Sequence, residues 1–197
     1  MPWPEPVTLS GRHARLEPLA LEHAQRLAEA VADGELWRLW YTTIPRPEAM
    51  AAEIDRRRDL QAKGEMTPFA VIDLASGEPA GMTTYLHLDP VHKRLEIGAT
   101  WYRAAAHRTP LNTECKLLLL THAFEALGCI AVELRTHAFN HASRRAIERL
   151  GAKLDGVLRS HQRAANGALR DTYVYSITAA EWPAVKTHLE FQMEKPR

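Results

Sequence analysis

The residues best suited to chemistry lie between Arg108 and Glu114, in the run Arg-Thr-Pro-Leu-Asn-Thr-Glu. Thr109 is a natural helix cap, and Pro110 after it would take the first helical position, where a missing N–H costs nothing. Asn112 or Thr113 offers an alternative cap a few residues on. The amides of Leu111, Asn112 and Thr113 would project from the positive end of the helix dipole, with the Arg108 guanidinium beside them. That arrangement suits an anion, a phosphate above all. An ordinary capped helix looks the same, and this stretch alone does not separate the two. Metal chemistry is not indicated. His137 and His141 have a ligand-like separation, but they straddle a strand-to-helix junction with no thiol or carboxylate partners around them.

The elements that would position this stretch follow from periodicity. The lead Met-Pro-Trp-Pro-Glu-Pro reads as loose, and Val7 to Leu16 as a small hairpin or a strand with a turn. Leu21 to Ala32 has a one-sided apolar face and is predicted helical, and Asp33-Gly34 breaks it. Leu36 to Tyr41 is an aromatic cluster that reads either as core or as one wall of a substrate pocket. Glu48 to Lys63 is a second helix whose Arg56-Arg57-Arg58 run reads as a solvated face. The period then changes to strands over Pro68–Leu74, Ala80–Leu88 and Arg94–Tyr102, whose short turns imply an antiparallel meander. The helix after Arg108 carries Leu117, Leu120, Phe124 and Leu127 on one face and stops at Gly128. Ile130–Thr136 is a strand. Asn140–Leu150 is a helix with Ala142, Ala146, Ile147 and Leu150 facing inward. Leu154–Gln162 and Asp171–Ile177 form a hairpin about Ala165-Asn166-Gly167, and Ala179–Phe191 is a last helix interrupted early by Pro183. This order describes a single α/β (α+β) domain, residues 1–197, with a mixed sheet between helices.

Composition sets the outer limits. The 197 residues suffice for one substantial core, and 46% hydrophobic with 25% charged residues is the balance of a soluble globular protein. A net charge of +1 argues against a nucleic-acid surface. Two cysteines without a CxxC pair, and no secretory pattern, imply a reducing cytoplasmic setting. No apolar run approaches the roughly 18 residues needed to span a bilayer.

Several pieces together carry a resemblance. Glu96-Ile97-Gly98 is followed by Trp101, a helix opens at Asn112-Thr113-Glu114, and an Asn-x-x-Ser pattern runs from Asn140 through Ser143 to Leu150-Gly151. The Asn166-Gly167 hairpin and Asp171-x-x-x-Tyr175 close the set. From Val7 to Trp182 the chain resembles the GNAT superfamily of N-acetyltransferases, and within it the ribosomal-protein alanine acetyltransferases of the RimJ/RimL type. The resemblance implies about seven strands, with the fourth and fifth splayed apart. Acetyl-CoA would be the co-substrate, its pantetheine arm lying in the gap between Gly98–Tyr102 and Leu134–His137 much as an added strand would. The acceptor would be an amine, on a small molecule or a protein N-terminus. Neither a nucleic acid nor a membrane would be a partner, and a homodimer would be common in such a family.

The resemblance also implies roles. Glu96 would be the base, acting through a water. The Trp101 backbone N–H would stabilise the oxyanion, and Ser143 would protonate the departing thiolate. Asn140 reads both as a helix cap and as a pantetheine partner. The cofactor contacts would be Trp101, Tyr102, Arg103, Arg108, Thr109, Leu111, Asn112, Thr113, Asn140 and Ser143, with no metal. Tyr85, His87 and His137 are secondary candidates for the acceptor pocket. One departure stands out: the family's phosphate turn is Gln/Arg-x-x-Gly-x-Gly/Ala, and here Arg108 and Pro110 take the glycine positions. A non-catalytic acyl-CoA-binding module of the same fold is the alternative that this departure raises. A dinucleotide-binding enzyme is set aside, because no Gly-x-Gly-x-x-Gly precedes the helix.

Overall fold

A computed structural model describes residues 3–164 and 166–195; Met1, Pro2, the hairpin residue Ala165, Pro196 and Arg197 lie outside them. The strands are β1 (Leu9–Ser10), β2 (Ala14–Pro18), β3 (Met66–Asp73), β4 (Glu78–Asp89), β5 (Arg94–Tyr102), β6 (Ala131–His137), β7 (Lys153–Arg163) and β8 (Leu169–Thr178). They form one sheet in the order β1-β2-β3-β4-β5-β6-β8-β7. The opening hairpin contributes two strands, which makes eight where about seven are expected. The helices are α1 (Ala24–Ala32), α2 (Met50–Ala62), α3 (Leu111–Thr121), α4 (His141–Arg149) and α5 (Trp182–Glu194). Every neighbouring pair is antiparallel except β5 and β6.

Period-2 alternation assigns the two faces. Leu95, Ile97 and Tyr102 of β5, Val132 and Leu134 of β6, and Tyr175 and Ile177 of β8 join Leu111, Cys115, Leu119 and Leu120 of α3 in the larger core. On the opposite face Ala70, Ile72, Met82 and Trp101 pack with Leu27 and Val31 of α1 and Met50 and Ile54 of α2. The second core stops at β5. Beyond it this face carries Glu96, Glu133, Arg135, His137 and Thr172.

The parallel junction is short. Registered pairing covers Arg94/Ala131, Leu95/Val132 and Glu96/Glu133 and goes no further. Where β5 continues, it spends four residues (Gly98 to Trp101) against three of β4 (Thr84 to Met82), and Ala99 takes a left-handed φ of 47°. Such a bulge bends the strand, here away from β6. β4 stays close on the other side, since a Cβ at Gly81 would lie 2.1 Å from the Trp101 carbonyl oxygen.

Several expectations need correction. The lead is held from Trp3 onward, because Trp3 packs on the larger core with Lys93 Nζ 5.2 Å from its ring centroid. Arg57 is not solvated. It is 4% exposed, with Nε on Glu53 (2.7 Å) and Nη1 on Thr84 Oγ1 (2.7 Å), and only Arg56 and Arg58 face outward. Glu53 one turn earlier supplies the countercharge that makes this burial tolerable. Pro183 opens α5 rather than interrupting it. Ala142 is exposed, and α4 is seated by Ile147 and Leu150.

Leu117 of α3 and Leu127, after the π-helical turn His122–Ala126 that continues it, are only half-buried, while Glu114 and Lys116 of α3 are buried. Glu114 accepts from the backbone N–H groups of Arg12 (2.8 Å), His13 (2.6 Å) and Ala14 (2.6 Å), fastening the β1–β2 turn to the helix. A helical-period scan discounts both residues as polar, but each finds a buried job. Lys116 reaches under the bulge. Its Nζ donates to Thr100 Oγ1 (3.0 Å) and Thr83 Oγ1 (3.5 Å), and those two hydroxyls are 2.8 Å apart.

Among the described residues Lys116 has only these hydroxyls for partners, and burial lowers its pKa from 10.5 to about 8. Charging it in the folded state is therefore costly below pH 8, and the penalty disappears as pH rises from 8 to 10.5 and the unfolded chain also loses the proton. Lys116→Met is expected to raise stability by roughly 1–3 kcal/mol at about pH 7. Denaturant melts from about pH 7 to about pH 10 check this: the gain should shrink with rising pH, and a pH-independent difference would refute it.

Candidate functional site

The helix start is built by the turn before it. Arg108 adopts a left-handed φ of 61°, the conformation a glycine would supply. The turn geometry is thus kept at the cost of some strain, and a cation is gained. The Thr109 hydroxyl donates to Ala106 O (2.7 Å) and accepts from the Leu111 N–H (3.3 Å), but the N-cap position expected for Thr109 falls to Pro110. The first helical bond runs from Glu114 N–H to Pro110 O (3.0 Å). Asn112 and Thr113 therefore lie in the first turn, whose amides have no preceding turn to bond. In front of them is a cavity of ≈ 430 Å³ lined by Arg108, Thr109, Asn112, Thr113, Arg149, Gln192 and Lys195. Arg149, at the end of α4, donates to Thr113 Oγ1 (3.1 Å). Sequence reading missed Arg149 and Lys195, which reach the cavity from α4 and from the residue after α5.

Asn140 caps α4, its Oδ1 accepting from Ser143 N–H (3.0 Å). The Ser143 hydroxyl makes no hydrogen bond among the described residues, so the capping is Asn140's work and the hydroxyl is free for other use. Trp101 and Tyr102 are buried on opposite faces of β5 at the gap. Arg103 follows them and is tied to Asp33 (3.2 Å) at the edge of the α1 turn. Leu111 is seated in the larger core. Tyr85 is fully buried on the α3 face, donating to Leu119 O (2.7 Å). It is core, and it does not line the acceptor side.

The other side of the gap is polar. Glu96 is 5% exposed, with Oε2 2.7 Å from His87 Nδ1 and 3.4 Å from Arg135 Nε. A Cβ at Gly98 would come within 2.4 Å of Glu96 Oε1, so only glycine leaves this carboxylate its place. The hydrogen bond to Glu96 raises the His87 pKa. Arg135 bonds chiefly to Glu133 (2.7 Å), which also accepts from Arg94 (2.8 Å). Further along β6, His137 is 3% exposed, and its ring meets Trp40 (5.1 Å), Phe139 (5.7 Å) and Tyr41 (6.0 Å). Of the aromatic run, Leu36 and Trp37 pack on the smaller core, while the rings of Trp40 and Tyr41 meet His137. Arg135 and Arg170 join this face without having been singled out in the sequence, where no periodicity distinguishes a site arginine from a surface one.

A larger concavity of ≈ 1200 Å³ lies elsewhere, between the end of α2 and the β4–β5 turn. Its Asp55, Asp59, Arg58 and Lys63 offset one another, and no orphaned buried polar atom is among its lining residues. Among the described residues, no cluster of His, Cys, Asp or Glu could hold a metal ion, and no helix is long and apolar enough to cross a membrane.

A helix start ringed by cations and a gap between diverging parallel strands, with a buried carboxylate on its other side, suit transfer from a long phosphorylated donor. Comparison with known proteins agrees. The family model for an acetyltransferase (GNAT) domain matches residues 13–153. A GCN5-related N-acetyltransferase from Brucella melitensis is 33% identical with a TM-score of 0.86, over 98% of this chain and 87% of that one. A protein of T. thermophilus assigned as an acetyltransferase is 38% identical with a TM-score of 0.83, over 96% and 98%. RimJ of Mycobacterium smegmatis, in complex with CoA-disulfide, shares the fold at 21% identity and a TM-score of 0.77, over 96% and 95%. No curated protein matches the chain.

The capping geometry separates Asn140 from Ser143. Asn140→Ala is expected to cost about 0.5–2 kcal/mol, and Ser143→Ala less than about 0.5 kcal/mol. Thermal melts of the two variants test this, and a Ser143→Ala loss as large as that of Asn140→Ala would contradict it.

Proposed function

The chain belongs to the GNAT acetyltransferase family, and from that premise we propose that it moves the acetyl group of acetyl-CoA directly onto an amine presented on the Glu96 side of the gap. The observation that carries this reading is the pair of unregistered strand edges, Ile97–Tyr102 and Leu134–His137, facing one another beside a helix start. Unpaired backbone N–H and C=O groups there need partners, and an extended amide-bearing arm supplies them. The residues present fit such a ligand at its other end too, where Arg108, Arg149 and Lys195 surround the first-turn amides of Asn112 and Thr113. Thr109 and Leu111 fix that turn, and Tyr102 and Arg103 lead into it. A likeness to the RimJ/RimL branch fits this reading, since RimJ of M. smegmatis carries a CoA derivative on the same fold.

When bound, acetyl-CoA supplies the acyl group as a thioester. The protein's tasks are then three. Glu96, acting through a water, takes a proton from the incoming ammonium so that its nitrogen can attack. The Trp101 backbone N–H faces β4, where Trp101 pairs with Met82 and its carbonyl points at Gly81. The oxyanion role expected of it passes to the gap-facing N–H of Tyr102, which donates to the carbonyl oxygen as it gains charge. The C–N bond forms and the nitrogen releases its second proton to solvent. As the C–S bond then breaks, the Ser143 hydroxyl, unused in the fold, gives its proton to the sulfur and recovers one from solvent. Asn140 holds the start of α4 so that Ser143 stays in place. Glu96 is braced by His87 and by Arg135, which hold its orientation.

The test is acetyl transfer from acetyl-CoA to a broad amine panel, read by thiol release, alongside calorimetric titration of acetyl-CoA. Glu96→Gln should lower turnover mainly on the rising alkaline limb and leave acetyl-CoA affinity unchanged. Arg108→Gly keeps the left-handed turn and removes the charge, and it should weaken acetyl-CoA by about 1.5–3 kcal/mol. Ser143→Ala should lower turnover roughly 10- to 1000-fold. Acetyl-CoA affinity unaffected by Arg108→Gly, or an unaltered pH–rate profile in Glu96→Gln, would contradict the assignment.

A further inference from the structure

Among the described residues, four buried side-chain polar atoms lack a protein partner, and three of them, Trp101 Nε1, His137 Nε2 and Arg170 Nε, belong to residues on the acceptor face. All three are donors. For His137 the tautomer follows from its bonding: the Phe139 N–H donates to Nδ1 (3.0 Å), so Nδ1 presents its lone pair and the ring proton sits on Nε2. Burial, with the Arg170 charge adding to it, lowers the His137 pKa and keeps the ring neutral.

Arg170 shares this face by register. His137 pairs with Thr172, and Arg170 lies two residues before Thr172 on β8. Elsewhere on this face, Arg94 and Arg135 are neutralised by Glu133. The Arg170 guanidinium is half-buried and takes part in no ion pair among the described residues, feeling Glu96 only across a distance. A desolvated guanidinium next to a buried imidazole N–H is a poor arrangement for an empty core and a good one for a planar anion. Around it, Trp40 (50% exposed) and Phe139 (61% exposed) present apolar rings 5.7 Å apart.

Resting on the acetyl-transfer reading, we infer that the acceptor is a small amino carboxylate: an amino acid whose carboxylate is held by Arg170 and His137, whose amine faces Glu96, and whose apolar side chain lies against Trp40 and Phe139. A protein N-terminus offers neutral carbonyls in place of the carboxylate and would leave the Arg170 charge uncompensated.

Transfer is measured with phenylalanine, leucine and methionine, each beside its carboxamide and a dipeptide amide that starts with it. The acids should exceed their amides by at least about 10-fold in kcat/KM, chiefly through KM, and Arg170→Gln should reduce that ratio to less than about twofold. In parallel, N-acetylphenylalanine and its carboxamide are titrated without acetyl-CoA, with the His137 ring N–H followed by NMR. The acid alone should shift that resonance. Equal handling of acid and amide, a better dipeptide amide, a preference that survives Arg170→Gln, or no response to any probe would overturn the inference. If the titration discriminates acid from amide while no amine is acetylated, the transfer reading fails and carboxylate recognition stands.

Discussion

The parting of β5 from β6 after Glu96 is the constraint on which the rest of the architecture depends. Three registered pairs hold the strands together, and then the extra residue at Ala99 bends β5 toward β4 and away from β6. A buried strand edge with unmet backbone groups is costly, and it persists because the surroundings leave β5 no other course. Gly81 lets β4 approach the Trp101 carbonyl, and Lys116, Thr83 and Thr100 fill the space behind the bulge with a small hydrogen-bonded cluster. The fold thus accepts an expensive lysine to brace the place where its sheet comes apart.

From that gap the two faces of the sheet divide the work. On one side α3 and α4 bring cations and first-turn amides together around a cavity of ≈ 430 Å³. On the other, helix cover stops at β5, and the exposed part of the sheet collects carboxylates, arginines and aromatic rings. Strand alternation, shifted by one residue at the Ala99 bulge, sends Glu96 and Trp101 to this side and Ile97 and Tyr102 to the other. One strand therefore contributes to both halves of the chemistry, and a one-residue slip in its register would exchange them.

Much of this was legible in the sequence. Period-2 and period-3.6 patterns located the middle strands and most helices, and the cap chemistry of Asn140 is seen in its hydrogen bond to Ser143. What could not be read depended on long-range pairing. Glu114 and Lys116 look like solvent-facing helix residues until β1–β2 amides and strand hydroxyls come within reach of them. Arg57 resembles its exposed neighbours until Thr84 accepts from it. The replacement of turn glycine by Arg108 suggests a damaged site on paper, whereas the backbone keeps the left-handed conformation and adds a charge. Arg149, Lys195 and Arg170 carry no local signal at all, because only the fold brings them to their cavities.

The central claim is that the free edge of β5 beyond Glu96 is where acetyl-CoA lies. Amide hydrogen exchange of the intact protein, followed with and without acetyl-CoA, tests it most directly. Exchange at the gap-facing amides between Ile97 and Tyr102 should slow on addition of the ligand, together with those of Asn112 and Thr113, while the β7–β8 hairpin is unchanged. Exchange in Ile97–Tyr102 that is indifferent to saturating acetyl-CoA would contradict the account.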